Sequence, residues 1–256
     1  MYRNAIVRRP ARSLISGISS SPHLGVPDYE RALRQHDDYI RALEACGVSV
    51  TVLEALEEYP DSCFVEDTAV CFPDRAVLTN PGAPSRKGEV EDMERALRSF
   101  FAPDRLFRIR APGTLEGGDV LAASGEVFVG LSGRTNREGA VQFLNLLRDW
   151  GIPGQAVPVT GVLHLKTGMS YLEGGRLLVT EEFAEYPPFR AFEKVPVPDA
   201  EAYASNCIWM NGKVIVPEGF PGVRKAVEAL GYPVLPVDTS EYRKIDGGLT
   251  CLSLRF

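Results

Sequence analysis

A strand, a tight turn and a second strand recur four times at a spacing of roughly fifty residues, the range in which sequence repeats mean an array or a propeller. The hairpins cover residues 68–78 across Pro73-Asp74, 119–129 across Ser124-Gly125, 169–179 across Gly174-Gly175 and 207–216 across Asn211-Gly212. Asn-Gly is the signature of a type I′ turn, whose twist suits a two-residue hairpin. A loop and an amphipathic helix follow most of them: 89–101, 137–150 before Gly151, and 223–230 before Gly231. Residues 28–45 before Gly47 supply the helix of a first module, and residues 183–192, aromatic and proline-bearing, fit the pattern least. If a strand at 252–256 pairs with one at 5–8, the modules number five and the array closes into a ring, which removes exposed strand edges. The expected fold is therefore α/β, a five-bladed pseudo-symmetric propeller. No long linker or charge block divides the chain, so residues 1–256 are read as a single domain.

Closure places the same point of each repeat around one axis. The residues just before each hairpin or the closing strand are Glu66 with Asp67, Glu116, His164, Asn206 and Cys251, and all should converge on one pocket. Cys251 follows the run Asp246-Gly247-Gly248-Leu249-Thr250, where paired glycines let the backbone turn sharply and let another molecule approach closely. A nucleophilic thiol needs a proton shuttle, and His164 is one of only three histidines. Read singly, Cys251 is a small core hydrophobe, His164 a satisfied interior imidazole and Glu66-Asp67 a solvated turn. Their common register sets those readings aside. One thiol, one imidazole and several acids suggest chemistry on a cation. Cys46, Cys63, Cys71 and Cys207 keep a structural reading.

The net charge of -6, without clustered Lys or Arg, argues against a nucleic-acid partner. Five cysteines without a C-x-x-C pair fit neither a disulfide framework nor a structural zinc site, so a reducing cytoplasm is the expected location. The opening residues 1–12 are Arg-rich and acid-free, but Pro10 interrupts any amphipathic helix and no secretory apolar run follows. No stretch is apolar for long enough to span a bilayer.

Taken together, Phe64-Val65-Glu66-Asp67, Leu115-Glu116-Gly117-Gly118-Asp119, Gly133-Arg134-Thr135-Asn136, His164-Leu165-Lys166-Thr167-Gly168 and the terminal Asp246-to-Cys251 run resemble the guanidine-modifying hydrolases. Within that superfamily of amidinotransferases and arginine deiminases, the chain is most similar to the bacterial dimethylarginine dimethylaminohydrolases. The resemblance runs nearly end to end, through Asp238 to Ile245. It implies a five-bladed ββαβ propeller, the pentein fold, and hydrolysis of asymmetric N-methylated arginines to citrulline and a methylamine.

By residue match, the resemblance makes Cys251 the nucleophile and His164 the general acid and base, with Glu116 completing the catalytic set. Glu116 and Asp67, next to Glu66, would hold the guanidinium. Asp61 and the backbone carbonyl near Ile18 would take the α-amino group, Arg86 and Arg134 the α-carboxylate, and Ile245 and Asp246 would line the reacting end. Family members often carry leucine where Ile18 stands, a departure that touches only a backbone contact. Neither metal nor organic cofactor is implied, the partner is a small-molecule substrate rather than nucleic acid or membrane, and monomer and homodimer are both compatible. The loop at 17–25 reads equally as a connector or a mobile lid.

A guanidinium is a poor electrophile, so attack on it demands a thiolate and carboxylates that fix its geometry. Those carboxylates disfavour the thiolate and favour a protonated His164, so the resting enzyme is expected to hold a thiol and an imidazolium until the substrate cation arrives. Arginine or agmatine deiminase is the competing enzyme reading, and a non-catalytic five-bladed binding protein the competing non-enzyme one. A papain-type protease fits less well, since its cysteine precedes its histidine.

Overall fold

The computed structural model describes residues 1–256. The chain builds five three-stranded sheets, in each of which an antiparallel pair is extended by a parallel third strand. Strands β1 (Asn4–Arg8) and β2 (Ser49–Leu53) are joined by helix α1 (Tyr29–Ala45). The second blade is β3 (Ala69–Phe72), β4 (Arg75–Leu78), α2 (Glu89–Leu97) and β5 (Leu106–Arg108). The third is β6 (Val120–Ala123), β7 (Glu126–Leu131), α3 (Arg137–Asp149) and β8 (Gly154–Pro158). The fourth runs β9 (Met169–Tyr171), β10 (Arg176–Val179), the short α4 (Glu181–Ala184) and β11 (Glu193–Pro196). In the fifth, β12 (Ile208–Met210), β13 (Lys213–Pro217), α5 (Pro221–Ala229) and β14 (Val234–Val237) precede α6 (Ser240–Arg243) and β15 (Leu254–Arg255).

β15 returns to pair antiparallel with β1, Ala5 opposite Arg255 and Ile6 opposite Leu254, so the two chain ends complete one sheet and close the ring. First strands of neighbouring blades lie against each other, β15 on β3, β6 on β9 and β9 on β12. All four expected hairpins form, and Asn211 and Gly212 both take the positive φ of a type I′ turn. The third strands are short and sit at sheet edges, where Pro158, Pro196 and Pro236 cost no ladder bond; that proline content hides them from a strand-pattern reading.

Each long helix covers its own sheet with one apolar stripe. α1 is capped by Asp28, whose side chain accepts the Arg31 N–H at 2.8 Å, and it buries Ala32, Tyr39 and Leu43 against the first and fifth blades. α3 is capped by Asn136 and buries Ala140, Phe143 and Leu147. In the fourth blade Pro187 and Pro188 deny a helix its N–H donors, so α4 stops after four residues. Aromatic packing fills the space instead, Phe128 against Phe189 with centroids 4.8 Å apart. None of the five cysteines is disulfide-bonded, and no helix is long and apolar enough to cross a membrane.

Candidate active site

A 3-10 helix precedes the first strand of every blade, about one turn at Val65–Thr68, Gly117–Asp119, Leu165–Thr167 and Thr250–Leu252 and a longer stretch, kinked at Glu201, at Asp199–Ser205. These turns carry the chemistry-bearing residues to the axis of the ring. They pack this closely because glycines leave room. A Cβ on Gly118 would lie 2.6 Å from His164 Nδ1, and one on Gly117 would lie 1.9 Å from the Glu66 carbonyl oxygen.

The cleft they surround, about 380 Å³ including its open mouth, is lined by Ile18, Asp61, Asp67, Arg86, Glu116, Arg134, His164, Ile245, Asp246 and Cys251. Phe64, Leu163 and Gly247 complete the wall. His164 Nε2 and Glu116 Oε2 are 2.7 Å apart, both buried, and Asp67 Oδ1 is 4.0 Å from the same ring nitrogen. Asp67 is held in turn by the Gly118 N–H at 3.0 Å and by Arg86 Nη1 at 2.5 Å. At the outer end Asp61 accepts the Ile18 N–H at 3.0 Å, and Ser20 anchors the loop that carries Ile18 to the Asp246 carboxylate through both its N–H and its hydroxyl. Arg134 Nη1 reaches Glu116 Oε1 at 3.4 Å.

Burial works against a charged His164, but Asp67, the hydrogen bond to Glu116 and the charge of Asp119 outweigh it and raise the imidazole to about 9. Burial likewise opposes ionisation of Glu116, and His164 with Arg86 and Arg134 reverses that and holds its carboxyl below the usual range. Cys251, half-buried, has its thiol pushed up to about 12 by burial and by Glu66 and Asp67, against the Gly248 N–H 3.4 Å from Sγ and the charge of Lys166. At neutral pH the cleft therefore holds a neutral thiol, an imidazolium and carboxylates. Ligand atoms of Asp67, Glu116 and His164 lie within 4.8 Å of one another, the only such three-group cluster in the chain. The charged imidazole it contains is no metal ligand until it loses a proton.

Ten of the twelve residues singled out from sequence line this cleft; Glu66 and Asn206 do not. Adjacent residues of a 3-10 turn point apart, so only one acid of the Glu66-Asp67 pair can face the cavity. Glu66 turns the other way and accepts Lys166 Nζ at 2.6 Å, Arg255 Nη2 at 2.8 Å and the Thr250 hydroxyl at 2.7 Å. Asn206, expected to converge with the others, is also a holding group: its amide bonds the Lys166 carbonyl at 2.9 Å and the Thr250 hydroxyl at 3.0 Å, while its oxygen accepts the Thr250 N–H at 2.9 Å. Arg86 and Arg134, paired in the sequence reading, differ here. Arg86 is a buried cation with most of its fork taken, by Glu89 at 2.8 and 3.1 Å and by Asp67, whereas Arg134 stays partly exposed. Sequence reasoning missed Glu89 because nothing in an amphipathic helix start distinguishes a structural acid from a solvated one.

The family model described as N,N dimethylarginine dimethylhydrolase, eukaryotic, matches residues 27–179. The chain is 50% identical, over all of both chains, to N(G),N(G)-dimethylarginine dimethylaminohydrolase of Pseudomonas aeruginosa. It is 34% identical to the enzyme of the same name from Streptomyces coelicolor, over 99% of this chain and 96% of that one. Its fold superposes with TM-score 0.98 and 49% identity, over the whole of both chains, on the crystal structure of the Pseudomonas aeruginosa protein as a cysteine-to-serine mutant complexed with citrulline. The N-terminal domain of ArgZ, a cyanobacterial arginine dihydrolase, shares the fold at TM-score 0.83 and 18% identity, covering 98% of this chain and 97% of that one. A five-bladed ring with this cleft, and end-to-end identity of this size, make the chain a member of the dimethylarginine dimethylaminohydrolase family.

Proposed function

We propose that residues 1–256 form one catalytic unit that hydrolyses N-omega-methylated arginine, asymmetric dimethylarginine or monomethylarginine, to citrulline and dimethylamine or methylamine. The observation that carries this reading is the buried His164–Glu116 pair beside a half-buried cysteine in a cleft rimmed by carboxylates, a site built for a planar cation. Family membership supports the substrate, and the citrulline bound to the Pseudomonas aeruginosa relative supports a small-molecule amino acid as ligand.

The substrate guanidinium is read as lying between Asp67 and Glu116, with its α-amino group at Asp61 and the Ile18 carbonyl. Arg134 would take the α-carboxylate, with Arg86 adding its charge and the Nη1 hydrogen that Asp67 leaves free. Ile245 and Asp246 would flank the reacting carbon. A bound cation offsets the carboxylates that keep Cys251 protonated, so on binding the thiol gives its proton to solvent and Sγ attacks the guanidinium carbon. The adduct collapses as His164 passes its proton to the departing amine, leaving a thiouronium on Cys251. Neutral His164 then takes a proton from water, the hydroxide adds to the same carbon, and the carbon–sulfur bond breaks to release citrulline and the thiol.

Formation of the ureido product, citrulline from arginine, monomethylarginine and dimethylarginine and N-carbamoylputrescine from agmatine, tests the reading. Turnover of the methylated substrates is expected and should vanish in Cys251→Ser with the fold intact. Ammonia from arginine or agmatine, with the methylated substrates inert, would replace it with a deiminase.

A further inference from the structure

Asp119 has no part in the scheme above, yet three donors from two segments end on its fully buried carboxylate. Oδ1 accepts the N–H of Leu165, the residue after His164, at 3.0 Å. Oδ2 accepts the hydroxyls of Ser132 at 2.6 Å and Thr135 at 2.7 Å, which flank Arg134. Those hydroxyls pass the constraint on: Ser132 Oγ accepts the N–H groups of Arg134 and Thr135 at 3.0 and 3.2 Å, and Thr135 Oγ1 accepts the Glu116 N–H at 3.1 Å. Donors to an anion make stronger bonds than donors to a neutral acceptor, so this is a stiff junction.

We infer that Asp119 is a positioning residue that locks His164, Glu116 and Arg134 into one rigid unit, so that the groups for the reacting end and the carboxylate end of the substrate keep a fixed separation. The inference rests on the hydrolase reading. Asp119 also adds a negative charge beside His164, which otherwise faces Asp67 and Glu116, the cations Arg86 and Arg134, the Cys251 thiol and, on its own segment, Lys166. Removing that charge weakens the imidazolium whatever happens to the geometry.

The near-isosteric Asp119→Asn separates this role from ordinary packing. The His164 ring is followed by NMR of histidine-labelled protein, where only His23 and His36 add signals and a His164→Gly spectrum identifies the third. In Asp119→Asn the titration midpoint should fall by about one pH unit or more, with the basic limb of kcat/KM moving down alongside it. KM for dimethylarginine should rise about tenfold. Ser132→Ala keeps the charge and frees only the Arg134 loop, so KM should rise about fivefold while the His164 titration stays put. An unmoved KM in folded Asp119→Asn, or in Ser132→Ala, overturns the inference; if Asp119→Asn does not fold, the KM of Ser132→Ala decides. Failure of the hydrolase reading looks different, because the wild-type protein would then release no citrulline while the titration shift remained measurable.

Discussion

Cys251 is the residue on which binding and reactivity meet. Its thiol sits near 12 in the free protein while a bound guanidinium favours the thiolate, so small neutral alkylating agents should react slowly and amidinium-bearing haloacetamidines much faster. The thiolate's ultraviolet absorbance followed against pH, with a Cys251 variant as blank, gives a second reading. A thiolate fully formed well below neutral pH in the free protein would replace substrate-assisted activation by a standing ion pair with His164. The imidazole itself makes a signed prediction. Its folded value is raised from an ordinary 6.5 to about 9, so the stability it contributes is complete below pH 6.5 and is lost as pH rises through about 9. The proton for the leaving amine is lost over the upper end of that window, so kcat/KM should fall above about pH 9. Changing His164 to glycine should cost roughly 10²- to 10⁴-fold in turnover, less for substrates with good leaving groups, as read from the rate of adduct formation.

Among the elements, the 3-10 turns decide how closely these groups can meet. Gly118→Ala places a methyl 2.6 Å from His164 Nδ1 and 3.0 Å from Asp67 Oδ1 without demanding a new backbone conformation, so the imidazole must move. Circular dichroism should be unchanged while kcat falls about 10²-fold, the cost of misplacing a catalytic group by about an ångström; full activity would mean the turn has slack. The two arginines should now separate. Arg134→Ala should raise KM about tenfold or more for substrates that carry an α-carboxylate and leave analogues without it unaffected. Arg86→Ala strands the buried Glu89 and Asp67 and should also cost about 3–5 kcal/mol of stability, read by denaturant unfolding. The hairpins, the long helices and the cleft residues Asp67, Glu116, His164 and Cys251 were legible because period, turn chemistry and register are local signals, whereas Ile18, Asp61, Arg86, Arg134, Ile245 and Asp246 were named only through the family resemblance. The partners of Glu66 were not legible, because an ion pair such as Glu66 with Arg255 joins residues 189 apart and leaves no trace in either neighbourhood, and the local pair of Arg86 with Glu89 was missed because a buried acid at a helix start looks like a solvated one.

For the molecule as a whole, the seam between the chain ends is both a structural and a chemical joint. Glu66, in the turn leading into the second blade, holds Arg255 of the closing strand, Thr250 beside the nucleophile and Lys166 beside the imidazole. Glu66→Gln keeps the shape and leaves two cations without their shared anion, so stability should drop by about 3 kcal/mol and turnover should fall with it. A wild-type denaturation midpoint in that variant would show the seam to be held by the β1–β15 pairing alone. The same geometry divides labour among five equivalent stations around the axis. Four of them supply a thiol, an imidazole and two carboxylates, and the fifth, Asn206, only clamps its neighbours. A ring made by repetition thus keeps one station for holding rather than reacting, and a redesigned catalyst that placed a fifth functional side chain there would have to supply another clamp for Thr250 and Lys166.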